Sequence, residues 1–462
     1  MIIQWVQQME SFDLIIIGAG SAGCMAAFKA AKEGLNKIAL IDRKRKDLIG
    51  RKICGDGIGT KHLFFLQSKG FPIRQNNVKL NSIKKVHIVA PDPSVKRVIS
   101  IVGQLSIIDR LKFGQTLLET AISKEAVKLF DNTMLRNIKR KNGEVTVNLR
   151  NKSKEFSIKA PLVIDASGFN SKIRDGLDHF KKHARAANTE QYYCYREICE
   201  IPNMPSHYKD AAIFEFSHEK TRGGYMWFFS RGNNQCNMGN GVPKYWLKEI
   251  SPKRNYMESM ISRFSDVKVI DGGGGFVPTR HPIPNHVDDN IILVGDAGLV
   301  VNPLHGGGLS PSIASGYKAG KLAADAITNE TLTKQDLWPF NFQLIERYGK
   351  RYSILDLYRL FLQNIPDKEL THAIENDYLP IDKVFYARKY KKLMKLSRQL
   401  ALIWKDIPNP RFSLLPQAIE EIYALTNNYP EEATSIDEWS LKYRAIYDKY
   451  QSEIRKLIIK KQ

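Results

Sequence analysis

The stretch Gly18-Ala19-Gly20-Ser21-Ala22-Gly23 constrains this chain more than any other. It follows a short apolar run, Leu14–Ile17, and opens an alanine-rich segment with helical spacing. After Gly34 a second apolar run, 37–41, ends at Asp42. Strand, helix and strand in that order predict a βαβ unit. In this setting G-x-G-x-x-G has a physical meaning. Gly18 permits a tight turn, Gly20 lets a pyrophosphate approach the backbone, and Gly23 lets helix and strand pack closely. The helix start then faces phosphate, and Asp42 accepts from a ribose. A bound dinucleotide is the expectation.

NAD and FAD both suit that unit. The later stretch IILVGDAG, 291–298, favours FAD. Its apolar run delivers Gly295-Asp296 to a second glycine-rich turn, where Asp296 can accept from the hydroxyls of a ribityl chain. NPLHGGGLS, Asn302 to Ser310, then presents backbone N–H groups at a helix start to the anionic edge of a reduced flavin ring. One cofactor long enough to span both elements accounts for both. There is no second G-x-G-x-x-G for a separate nicotinamide domain.

The other elements follow from pattern. Helices are expected over 111–124 and 310–327, and a hairpin with its turn at Lys141-Asn142-Gly143. APLVIDASG, 160–168, reads as a buried strand running into glycine. Residues 190–280 are aromatic and strand-like, and from about Leu332 onward the pattern is helical. The fold class expected is α/β: a Rossmann-type FAD-binding domain with an inserted antiparallel β-sheet substrate domain and a helical C-terminal region. The FAD-binding parts are 11–80, 104–185 and 281–330, the substrate parts 81–103 and 186–280, and the helical region 331–462.

Charge narrows the partners. Lys+Arg 70 against Asp+Glu 48 gives +22 and implies an anionic partner. Because the lysines are scattered, a generally basic surface is expected rather than a nucleic-acid groove, and an anionic membrane surface fits it. The terminal IRKLIIKKQ, 454–462, can seat on a bilayer or end as a solvated helix. No apolar run reaches the ~20 residues of a membrane span, and MIIQWVQQMESF does not read as a secretory signal. Five cysteines without a CxxC pair indicate no disulfide framework, metal or iron–sulfur site. A cytoplasmic protein, peripheral on the inner face of the cell membrane, is expected.

The chain resembles the archaeal geranylgeranyl reductases, within the FAD proteins built like p-hydroxybenzoate hydroxylase. The resemblance rests on the N-terminal fingerprint and on Lys52-Ile53-Cys54-Gly55 as a K-x-C-G loop. It continues with IIDRLKFGQTLLETA, IDASG, a Y-x-W-x-F stretch (Tyr225, Trp227, Phe229), and GDAG with GGGL. Ser230 stands where the family usually has proline, and His305 sits in a turn usually lacking histidine. The resemblance implies that Ala22, Asp42, Cys54, Gly55, Gly57, Arg110, Met134 (through its backbone), Asp296, Gly308 and Leu309 contact FAD. Cys54 would face the bound alkene as the catalytic residue, or be a small packing residue. Tyr225 and Trp227 would line a lipid tunnel, or be core aromatics of the sheet. Asp56 is expected to bond backbone within its turn, and His305 to serve as a turn residue. The implied substrate is a geranylgeranyl lipid, and the electron donor is NAD(P)H or reduced ferredoxin. The rivals are an FAD monooxygenase or halogenase of the same fold and a tRNA-binding flavoprotein.

Overall fold

The structure is a computed structural model and describes residues 9–152, 154–184, 188–386, 389–407 and 410–459. Side chains beyond Lys456 lie outside the described residues, so the bilayer-seating reading of 454–462 falls mostly beyond them.

Three sheets organise the chain. Leu14–Ile17 is the centre of a six-stranded sheet, flanked in parallel by Ile38–Ile41 and Leu162–Asp165. Val127–Phe130 and Ile291–Leu293 continue it in parallel, and Val287–Asp288 closes one edge antiparallel. All four residues of the central strand are buried, as helices on a parallel sheet require. The helix Ser21–Lys32 packs against Leu309–Thr328 at close range: a Cβ on Gly316 would sit 2.1 Å from the carbonyl oxygen of Ala22. The glycines and alanines of both segments thus have a packing reason. Thr133–Lys141 and Glu144–Asn151 form the expected hairpin, with Asn142 and Gly143 both at positive φ in its two-residue turn.

The largest sheet has eight strands. Its order is Lys268–Pro278, Gln191–Glu200, Gln235–Pro243, Tyr225–Gly232, Ala211–Glu215, Lys79–Val89, Lys96–Ile108 and Gly57–Gly59. It departs from the expected antiparallel sheet at one seam, where Ala211–Glu215 pairs parallel with Lys79–Val89. These strands are joined through a long excursion into the other sheets, so no hairpin fixes their relative direction. Gly57–Gly59 ties the K-x-C-G loop to the far edge of the same sheet. The C-terminal helices, including Lys350–Leu362, Pro410–Asn427 and Ile436–Ile459, share the main hydrophobic core with both layers.

Candidate active site

A cavity of about 1260 Å³ runs between the six-stranded and eight-stranded sheets. Its first wall is the glycine turn. Gly18 has φ +101°, and a Cβ there would lie 2.4 Å from the carbonyl oxygen of Ala166. Gly23 is the one fingerprint glycine that faces away from the cavity, with its would-be Cβ 1.8 Å from the carbonyl oxygen of Gly18. Gly20 differs from both, because a Cβ there meets nothing within 4 Å. The space above it is the cavity itself, at the start of the helix Ser21–Lys32.

Asp42 fixes the next wall. Its carboxylate accepts from the amides of Ala19 and Lys44, both at 2.8 Å, while its backbone carbonyl accepts from Thr133 at 2.8 Å. Met134 is thereby brought to the cavity edge beside Asp42. Each carboxylate oxygen keeps a lone pair for a further donor.

Arg110, only 9% exposed, reaches Ser21 Oγ at 3.5 Å, and its Nε and Nη1 are buried without a partner. Buried guanidinium donors left unsatisfied at a helix start are costly unless an anion completes them. With the open space over Gly20, they fit the pyrophosphate of a dinucleotide.

Asp296 comes from the turn Gly295–Gly298, and its Oδ2 pairs with Lys52 Nζ at 2.7 Å. The K-x-C-G and GDAG motifs therefore meet. Oδ1 of Asp296 lies beside Gly308, where a Cβ would come within 3.0 Å of it. Gly308 caps the helix Leu309–Thr328, and both Gly308 and Leu309 line the cavity. His305 behaves as a turn residue, its Nδ1 accepting from the Gly307 amide at 3.2 Å. Burial, reinforced by the charge of Arg351, pushes its imidazole down to about 4, so it is neutral near pH 7.

The Cys54 loop forms the third wall. Cys54 Sγ donates to Asp56 Oδ1 at 3.0 Å and accepts from the Asp56 amide at 3.3 Å. Burial, with the Asp56 charge adding to it, pushes the thiol up to about 12. It is a protonated thiol at neutral pH and a poor nucleophile.

Asp56 requires a correction. The turn is there, at φ +59°, but the side chain bonds no backbone in it: Oδ1 holds the Cys54 thiol and Oδ2 reaches out of the loop. Asp56 Oδ2 accepts from Arg231 Nη1 at 2.6 Å and from Asn237 Nδ2 at 2.9 Å. Asn237 also holds the Cys54 carbonyl at 2.8 Å and accepts from Trp227 Nε1 at 2.9 Å. Trp227 is thus both a cavity residue and a clamp on the loop. Gly55 and Gly57 also line the cavity, and Gly55 is pressed on Phe229, with a would-be Cβ contact of 2.8 Å. Tyr225 donates to the carbonyl of His305 at 2.8 Å, closing the aromatic strand onto the glycine turn.

The cofactor half matches known chemistry. Residues 13–170 match the FAD dependent oxidoreductase family model. The geranylgeranyl bacteriochlorophyll reductase-like protein of Thermoplasma acidophilum has the same fold. Its TM-score is 0.73 at 21% identity, covering 86% of this chain and 99% of that one. Halogenase PltM in complex with FAD also shares the fold, at TM-score 0.61 and 15% identity, covering 96% of each chain. The digeranylgeranylglycerophospholipid reductase of Sulfolobus acidocaldarius is 26% identical over 93% of this chain and 95% of its own. The digeranylgeranylglycerophospholipid reductase 2 of Methanosphaera stadtmanae is 30% identical, covering 79% of this chain and 91% of its own. The chain belongs to the digeranylgeranylglycerophospholipid reductase family.

As a member of that family it is an FAD-dependent oxidoreductase. Two groups around the reductase site lie beyond the sequence reading. Arg231 and Asn237, partners of Asp56, lie on neighbouring strands far from the loop in sequence, and no spacing announces them. The C-terminal region, whose sequence shows no site motif, contributes Arg347, Tyr348, Arg351, Tyr352 and Arg359 to the cavity lining.

Proposed function

We propose that this protein saturates isolated C=C bonds of geranylgeranyl chains in archaeal-type membrane lipids or their precursors. The observation that carries the reading is the continuity of one cavity. The glycine turn and Arg110 at one end lead past Cys54 to an aromatic wall of Phe214, Phe216, Tyr225, Trp227 and Phe229. Such a wall suits a branched hydrocarbon and has few groups to orient a polar aromatic substrate. The relatives named above act, by their names, on digeranylgeranylglycerophospholipid.

Bound FAD supplies the hydride once reduced. An isolated trisubstituted alkene has no carbonyl to accept hydride density, so a proton must add with or before the hydride, which quenches the positive charge building at the tertiary carbon. Cys54 holds a proton at the cavity wall, and Asp56 fixes where that proton points. The aromatic walls exclude water and hold the chain in line, which supplies much of the rate. In this assignment Gly18, Gly20, Ala22, Asp42, Arg110 and Met134 serve the adenine and pyrophosphate end of FAD, with Gly23 packing beneath. Cys54, Gly55, Gly57, Asp296, Gly308 and Leu309 serve its flavin end, and Tyr225 and Trp227 the substrate. We assign 11–80, 104–185 and 281–330 to cofactor binding, 81–103 and 186–280 to substrate, and 331–462 to a helical region. Sheet membership supports that division except at Gly57–Gly59 and the ends of Lys79–Val89 and Lys96–Ile108, which belong to the eight-stranded sheet.

The test compares Cys54 variants in dithionite-reduced protein given a geranylgeranyl phospholipid, with products resolved by mass. Cys54→Ala should keep the flavin spectrum but change the rate or the number of bonds saturated, and Cys54→Ser should be milder. If both match the parent, the thiol only packs.

The electron donor in this reading is NAD(P)H or reduced ferredoxin. Anaerobic bleaching of the flavin by one and not the other identifies it. The protein also associates with anionic membrane from the cytoplasmic side. No helix among the described residues is long and apolar enough to cross a membrane, and +22 gives an anionic surface something to attract. Sedimentation with anionic vesicles should weaken with salt, since screening acts over ~8 Å at physiological strength. Salt-independent binding, or preference for RNA over vesicles, would contradict this.

A further inference from the structure

The cavity has a basic wall that neither the cofactor nor the alkene explains. A π-helical turn, Ile345–Gly349, leads into the helix Lys350–Leu362. Such turns re-aim side chains and gather at functional sites. From this stretch Arg347, Arg351 and Arg359 all reach the cavity. They grade inward, with Arg347 exposed, Arg351 half-buried and Arg359 2% exposed.

Each of the first two lies over the tyrosine that follows it. Arg347 is 5.5 Å from the Tyr348 ring and Arg351 is 5.1 Å from the Tyr352 ring. Arg347 Nε also donates to the Tyr348 hydroxyl at 3.0 Å. Arg359 is held from behind by Asp356 Oδ1 at 2.6 Å and by the Thr189 carbonyl at 3.0 Å, yet its Nη2 is buried without a partner. Like charges one helical turn apart repel. That applies to Arg347 and Arg351; Arg359 stands two turns further on, ion-paired with Asp356, with its buried Nη2 left for an incoming anion. Arg351 acts across the space, its charge adding to the burial that keeps His305 neutral.

A guanidinium fork matches phosphate oxygens two at a time, and a low-dielectric wall focuses the attraction. The pyrophosphate of FAD already has donors at the Ser21 helix start and Arg110, so this wall answers a second phosphate. We propose that Arg347, Arg351 and Arg359 form the subsite for the phosphate-ester head group of the isoprenoid substrate. The chain runs from there past Leu362 and Tyr225 toward Cys54. This rests on the substrate reading above.

Isothermal titration calorimetry on the FAD-loaded protein tests it with geranylgeranyl phosphate, geranylgeraniol and inorganic phosphate as probes. The phosphate ester should bind at least about tenfold tighter than the alcohol, the scale of a hydrogen bond to a charged group. Combining Arg347→Ala with Arg351→Ala should remove that advantage and leave alcohol binding unchanged. Arg351→Lys, which keeps the charge without the fork, should fall between. Equal binding of ester and alcohol by the parent, or equal weakening of both in the variant, overturns the subsite while leaving the substrate reading intact. Binding of inorganic phosphate as tight as the ester assigns the wall to free phosphate and overturns it too. Binding of neither geranylgeranyl compound overturns the substrate reading itself, and the subsite with it.

Discussion

Gly20→Val is expected to give a folded protein that purifies without FAD. The backbone at Gly20 has φ −72°, which any residue adopts, and a Cβ there meets nothing within 4 Å. A β-carbon therefore has room in the protein itself. The branched side chain instead occupies the space over the helix start, where the backbone is left bare for a pyrophosphate. Gly23→Ala is the contrast, since its Cβ would lie 1.8 Å from the carbonyl oxygen of Gly18 and the βαβ unit must open to admit it. Flavin absorbance per chain and a thermal melt separate the two outcomes. Gly20→Val should melt near the parent's apo form and carry no flavin, while Gly23→Ala should lose the fold. A yellow, fully loaded Gly20→Val protein would falsify the assignment of the glycine turn.

The second large effect is at Asp56. Its side chain is 1% exposed and satisfies Cys54, Arg231 and Asn237 together. Asp56→Ala leaves the Arg231 guanidinium buried and uncompensated, which costs about 3–5 kcal/mol. The loop also loses the acceptor that fixes the thiol proton. Asp56→Asn keeps the shape and tests the charge alone. Both burial and the Asp56 charge raise the Cys54 thiol, so removing the charge lowers it, and thiolate forms at lower pH than in the parent. Alkylation of Cys54 followed against pH should therefore begin earlier in Asp56→Asn, and unfolding should come at lower temperature in Asp56→Ala. An unchanged melt in Asp56→Ala would mean that the Asp56–Arg231 pair contributes nothing to holding the loop.

Local chemistry was legible in the sequence, and long-range chemistry was not. The turn Gly18–Gly23 and the GDAG turn are decided by a few consecutive residues, whose backbone needs can be read directly. Asp56 shows the limit. Its turn is local and was foreseen, but its carboxylate is claimed by Arg231, which reaches it only because Tyr225–Gly232 lies in the same sheet as Gly57–Gly59. From about Leu332 the sequence reads only as helical, and nothing in it marks Arg347 or Arg351. Only the packing of that stretch against the cavity makes them a wall. The parallel seam between Ala211–Glu215 and Lys79–Val89 is similarly a property of where the chain returns. The double reading of Trp227 also resolves in three dimensions, since it is a core aromatic and a cavity wall at once.

The claim that joins these observations is that one cavity brings a reduced flavin, a protonated thiol and an isoprenoid chain together. Its most direct test is anaerobic incubation of the FAD-loaded, dithionite-reduced protein with a geranylgeranyl phospholipid, followed by mass analysis of the lipid. The account predicts stepwise gain of H₂ per double bond, absent without enzyme and absent with Gly20→Val. Unchanged lipid beside a fully reduced flavin, or oxygen or halogen inserted into an aromatic substrate once air is admitted, would contradict it.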